Sequence, residues 1–87
     1  MDEPEFLDEN QLLTRAQQAF EHAKGSQRDV ARALGLNRSS VSRALRNEGL
    51  KHAAVQARVV SLLEEVPVQR RSTYRDAEVE HRWIIDP

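Results

Sequence analysis

The stretch Gln27-Arg28-Asp29-Val30-Ala31-Arg32-Ala33-Leu34-Gly35-Leu36-Asn37-Arg38-Ser39-Ser40-Val41-Ser42-Arg43-Ala44-Leu45-Arg46-Asn47 decides the fold of this 87-residue chain. It reads as two short helices joined by a tight turn. Ser26 is placed to cap a helix over about 27–34, whose apolar residues are Val30, Ala31 and Leu34. Gly35 then supplies a left-handed backbone without a Cβ penalty. Asn37 is a good N-cap for the next helix, about 38–46, where Val41 and Leu45 stand four apart. Ala31 has to be small because the two helices approach closely there. Leu34, Leu36, Val41 and Leu45 pin the second helix against the first, which leaves Arg38, Ser39, Ser42, Arg43 and Arg46 on the outward side.

Helices are expected on both sides of this pair. Leu12, Leu13, Ala16, Ala19, Phe20 and Ala23 form one apolar stripe and predict a helix over about 9–24. Acids precede it and Lys24 sits in its last turn, as the helix dipole favours. Gly25 is read as its stop, turning through positive φ. Asn47-Glu48-Gly49 breaks the 38–46 helix. A fourth helix, about 53–65, is expected to bury Val55, Val59, Leu62 and Leu63 on one face and to end before Pro67. Beyond Pro67, two alternating runs predict a β-hairpin turning at Asp76-Ala77, pairing Tyr74 with Val79 and Val68 with Ile85. Its turn lacks glycine. The rival is a helix from about residue 74, since Thr73 and Asp76 have capping-box spacing. The fold expected is mainly α, with an acidic leader (1–8), a helical domain (9–66) and a C-terminal extension (67–87).

Composition narrows the function classes. Lys and Arg number 13 against 14 Asp and Glu, a net charge of −1, which taken whole argues against a nucleic-acid partner. Resolved by segment the picture reverses. Residues 1–24 carry −4 and residues 62–87 carry −2. Residues 25–61 set Arg28, Arg32, Arg38, Arg43, Arg46, Lys51 and Arg58 against only Asp29 and Glu48, a net of +5. Such asymmetry points to a polyanion-binding segment. With no cysteine, disulfides and thiolate zinc sites are excluded. A chain this small is marginal by itself, so a second copy is the expected source of extra burial. No apolar run approaches the roughly 20 residues of a membrane span, and the acidic start is the wrong charge for a targeting peptide. A cytoplasmic location is expected.

On the residues 27–47, and on VARALGLNRSSVSRALRN in particular, the chain resembles the lambda-repressor-like helix-turn-helix superfamily, which includes phage Cro and CI repressors and the lac repressor headpiece. The surrounding helices extend the resemblance over about residues 9–65. It implies an all-helical domain of four or five helices that binds double-stranded DNA. It implies that the helix 38–46 enters the major groove, where an α-helix fits and its N-terminal residues reach base edges. Arg38 and Ser39 fall where the family reads bases, Arg43 at a further base-reading position, and Ser42 within reach of a base or phosphate. Gln27 implies a phosphate contact at the start of its helix, with Ser26 beside it. Arg46, Asn47, Lys51 and His52 fall where the family runs along the DNA backbone. The leader and the segment after Pro67 lie outside the common domain.

The expected function is therefore a sequence-specific transcriptional regulator, a repressor rather than an activator, bound as a homodimer to a palindrome. The face Val68, Tyr74, Val79, Trp83 and Ile85 is too apolar for a two-stranded ribbon to leave in water, and is expected to be the dimer interface. The alternative is an antitoxin or interaction module whose leader and tail order on a protein partner such as a toxin. Asp29 and Arg32, three apart, are read as an ion pair. No catalytic residue, metal site or cofactor is expected. His22, His52 and His81 are far apart, and Ser39, Ser40 and Ser42 have no base arranged beside them.

Overall fold

The computed structural model describes residues 3–23 and 25–86. In chain order they form β1 (Glu5–Leu7), α1 (Glu9–His22), α2 (Gln27–Leu34), α3 (Arg38–Ala44), α4 (Leu50–Glu64), β2 (Val68–Arg75) and β3 (Glu78–Ile85). The architecture is four helices with a three-stranded antiparallel sheet of order β1-β3-β2.

Local chemistry sets most of the helix ends. The Asp8 carboxylate accepts from the Gln11 N–H at 2.8 Å, and the Gln11 side chain accepts from the Asp8 N–H at 2.9 Å, a reciprocal cap on α1. Ser26 and Asp29 do the same for α2, and Asn37 caps α3. Gly35 closes α2 at φ 70°, and the Leu36 N–H reaches back to the Ala31 carbonyl at 2.9 Å. Gly25 does not act this way. α1 ends at His22 because Ala23 is extended (φ −81°, ψ 141°), and the positive-φ glycines are Gly35 and Gly49. Lys24, expected in the last turn of the first helix, lies outside the described residues. Gly49, at φ 113°, starts α4 at Leu50, three residues earlier than its apolar pattern suggests.

The hairpin forms in the expected register, with Val68 opposite Ile85 and Tyr74 opposite Val79. Asp76 takes φ 53°, which an aspartate tolerates, so the two-residue turn needs no glycine and the rival helix from residue 74 does not form. The leader is not a free tail. Glu5, Phe6 and Leu7 pair with Ile85, Ile84 and Trp83, so the two ends of the chain meet in one sheet. Leu7, Trp83 and Ile85 join Leu12, Ala16, Val41 and Val59 in a single core, and the expected division into leader, helical domain and extension does not describe that packing. Arg15 of α1 fastens the arrangement. Its guanidinium grips Glu64 of α4 bidentately at 2.7 and 2.8 Å and also bonds Glu5 of β1. These bonds, to Glu64 first and then Glu5, hold Arg15 above its ordinary pKa.

Two expectations about faces change. α4 buries Ala53, Gln56, Val59 and Val60, while Leu62 is 37% exposed. Trp83 and Ile85, read as dimer interface, are 2% and 3% exposed and belong to the chain's own core. Tyr74 and Val79, on the same sheet face but nearer the turn, are 75% and 45% exposed, and Val68 is half-buried. No described helix is long and apolar enough to cross a membrane.

Candidate nucleic-acid interface

Four of the seven cations of the basic segment, Arg38, Arg43, Arg46 and Lys51, lie on α3, the loop after it and the first turn of α4. Core residues on α3 are Val41 and Ala44, followed by Leu45. The opposite side presents Arg38, Ser39, Arg43 and Arg46 to solvent, with Ser42 half-buried between them. Asn47 and Lys51 are exposed and His52 is half-buried. Ser40 and Arg43 line a cleft with Lys51, His52 and Val55, so α3 and α4 bring three cationic or protonatable groups together. Among the described residues, Arg38, Arg43, Arg46 and Lys51 have no carboxylate within salt-bridge distance, since the ion pairs involve Arg15 and Arg82. Unpaired cations on a rigid helix face are available to a polyanion without first breaking an internal bond.

Several polar side chains are partly committed. The Asn37 carboxamide oxygen accepts from the Ser40 N–H at 3.1 Å and from the hydroxyls of Ser40 at 2.8 Å and Ser39 at 3.0 Å. Arg46 donates Nε to the Ser42 carbonyl, leaving the rest of its guanidinium outward, and Asn47 donates to the Arg43 carbonyl at 2.8 Å. Gln27 is half-buried at the start of α2. Ser26 is the clear departure. Its hydroxyl accepts from the Asp29 N–H at 3.2 Å and donates to the Asp29 carboxylate at 3.1 Å, so it has no donor left for a phosphate. Asp29 in turn forms no ion pair with Arg32. Its carboxylate is held below the usual range first by the Ser26 backbone N–H and then by the Ser26 hydroxyl, with Arg32 and Arg28 acting only through space.

That cap has a pH signature. A depressed carboxylate stabilises the fold fully above its unfolded pKa of about 3.9, and the contribution is lost as pH falls through the lower folded value. Urea midpoints of the chain and of Asp29→Asn should therefore differ by a constant amount above about pH 5 and converge below pH 4. A gap that is unchanged at pH 3 would show that the carboxylate charge is not what caps α2.

Two glutamines that the sequence reading passed over, and an arginine it counted only for its charge, bond the backbone around this surface. Gln17 of α1 donates to the Leu45 carbonyl at 2.8 Å, and Gln56 of α4 donates to the carbonyls of Ala44 at 2.8 Å and Asn47 at 2.7 Å. Arg58, counted with the basic block, donates to the Leu34 carbonyl at the end of α2. The two glutamines take the carbonyls of Ala44, Leu45 and Asn47, at and just after the end of α3, which stops at Ala44 rather than Arg46. A glutamine at helical spacing among apolar residues, Gln56 between Ala53 and Val59, is the signal that was there to be read. Outside the surface, Ser72 Oγ lies 2.8 Å from His81 Nδ1 across the hairpin. Among the described residues no carboxylate bonds the other ring nitrogen, so the pair lacks the orienting acid of a nucleophilic site. No protein-family model, curated protein or solved structure shows a significant match to this chain.

Proposed function

We propose that this protein is a sequence-specific DNA-binding transcriptional regulator of the lambda-repressor-like helix-turn-helix kind, acting as a repressor. The observation that carries the reading is the surface of unpaired cations on α3 and the start of α4, held behind a left-handed Gly35 turn. In this reading α3 lies in the major groove. Arg38, Ser39, Ser42 and Arg43 face base edges, while Gln27, Arg46, Asn47, Lys51 and His52 follow phosphates. The acidic flanks temper non-specific attraction, which leaves more of the discrimination to base contacts.

The regulator is proposed to act as a homodimer, with a second copy of this chain against the hairpin tip. Tyr74 and Val79 form an exposed apolar pair there. The reverse face of the hairpin carries Arg71, Arg75 and Arg82 with Glu78 and Glu80, both signs on one surface, so a two-fold copy can set opposite charges together. The antitoxin alternative relied on the leader and tail being free to order on a partner. Here both lie in the sheet, and they supply Leu7, Trp83 and Ile85 to the core.

The test is binding to mixed genomic fragments and to a duplex selected from a random pool, measured against salt. Affinity should fall steeply with salt, by a log–log slope of about −0.9 per phosphate neutralised. Lys51→Ala should lower that slope by about one and weaken all sequences alike. A salt-independent affinity, or a pool that yields no preferred site, would refute the reading.

A further inference from the structure

We propose that Gln56 is a positioning residue for the base-reading helix: its buried carboxamide sets where α3 ends and therefore where Arg43 and Arg46 stand. The inference rests on the DNA-binding reading above. Gln56 is fully buried, the one polar side chain so placed among the described residues. A carboxamide NH2 has two hydrogens to donate, and both are in use. One goes to Ala44, the last residue of α3, and the other to Asn47, in the loop that leads to Lys51. A single nitrogen thus ties the helix end to the loop.

The end of α3 needs such a tie. A helix leaves its last carbonyls without intrahelical partners, and a left-handed glycine commonly satisfies them. α2 has that device in Gly35, whereas α3 is followed by Leu45 in right-handed geometry. Gln56 takes over from the opposite wall of the core. The other half of its amide, Oε1, is buried with no partner among the described residues. An unpartnered buried acceptor is destabilising, and a leucine of similar size would not carry it. The amide is therefore explained by its donor side, which means by the position of the α3 terminus. Arg43 precedes one bonded carbonyl by a single residue, and Arg46 precedes the other by one, so a displaced terminus moves both guanidinium groups.

The experiment compares Gln56→Leu with the unaltered chain on a selected duplex and on a scrambled one. The expected result is a fall of about tenfold in the ratio of the two affinities, the size of one lost base contact. Affinity for the scrambled duplex should fall less than affinity for the selected one, because of the proposed phosphate contacts only Arg46 and Asn47 are displaced while Gln27, Lys51 and His52 stay in place. Val60→Ala, a core truncation on the same helix, is the control for stability loss. Gln56→Met replaces Gln56→Leu if the latter does not fold. An unchanged ratio in the Gln56 variant, or an equal fall in Val60→Ala at matched stability, overturns the proposal. Amide exchange of the free protein separates this from a failure of the DNA reading. Exchange at residues 45–48 should accelerate in the Gln56 variant and not in Val60→Ala, whether or not DNA binds, and unaltered exchange there also overturns the proposal.

Discussion

Replacing Arg38 and Arg43 together by alanine is expected to abolish most of the preference for a selected site while leaving the fold intact. Both side chains are exposed, and neither has a carboxylate partner among the described residues. Surface changes of this kind alter stability by only about 0.5 kcal/mol. An arginine bidentate to guanine is worth roughly 1–3 kcal/mol of discrimination. The pair together should lower the specificity ratio at least about thirtyfold if the two contributions add. Affinity for scrambled DNA should drop less, since Arg46 and Lys51, the proposed phosphate contacts, remain. Paired titrations of selected and scrambled duplex measure the effect, and a parallel loss on both would assign the two arginines to the backbone instead of to bases.

Trp83→Ala is expected to destabilise the chain severely and to lower its melting temperature sharply. Trp83 is 2% exposed and sits in the core with Leu7, Leu12 and Ile85. Truncating a buried tryptophan costs about 3–5 kcal/mol. A chain of this length has roughly 4–13 kcal/mol of total stability, so the loss is a large share of it. Tyr74→Ser, at the exposed tip of the same sheet face, should keep the melting temperature of the isolated protomer and weaken self-association. Thermal unfolding beside light scattering across concentration distinguishes the two. If Trp83→Ala melts like the unaltered chain but becomes monomeric, the tryptophan belongs to an interface and not to the core. Deleting residues 67–87 would not make this distinction, because it strips Trp83 and Ile85 from the core together with the tip.

What was legible in the sequence was local. Ser26, Gly35 and Asn37 act on their own turns of helix, so α2 and the start of α3 follow from a few neighbouring residues. The hairpin register was legible for a related reason: strand period and turn position determine each other, and Asp76 supplies the left-handed residue that a glycine would otherwise provide. Gly25 misled because a glycine after an apolar stripe is only permissive. The chain leaves α1 in an extended conformation that any residue can adopt. For the candidate interface, the outward arginines followed from the Val41 and Leu45 side of α3 being apolar. Ser26 was assigned both a cap and a phosphate contact, and the cap it makes with Asp29 uses the hydroxyl hydrogen that a phosphate contact needs.

The amino-acid order by itself determined the helix pair around Gly35, the block of positive charge on it and the pairing of β2 with β3, because each depends on contacts within a few residues or across one turn. Only the tertiary structure decided that the leader becomes β1, that Trp83 and Ile85 face inward while Tyr74 and Val79 do not, and that Gln17 and Gln56 end α3 at Ala44. Those outcomes join residues twelve to eighty positions apart. A three-residue strand exists only where another strand offers a free edge, and a carbonyl at a helix end is satisfied by whichever donor the packing of the other helices brings to it.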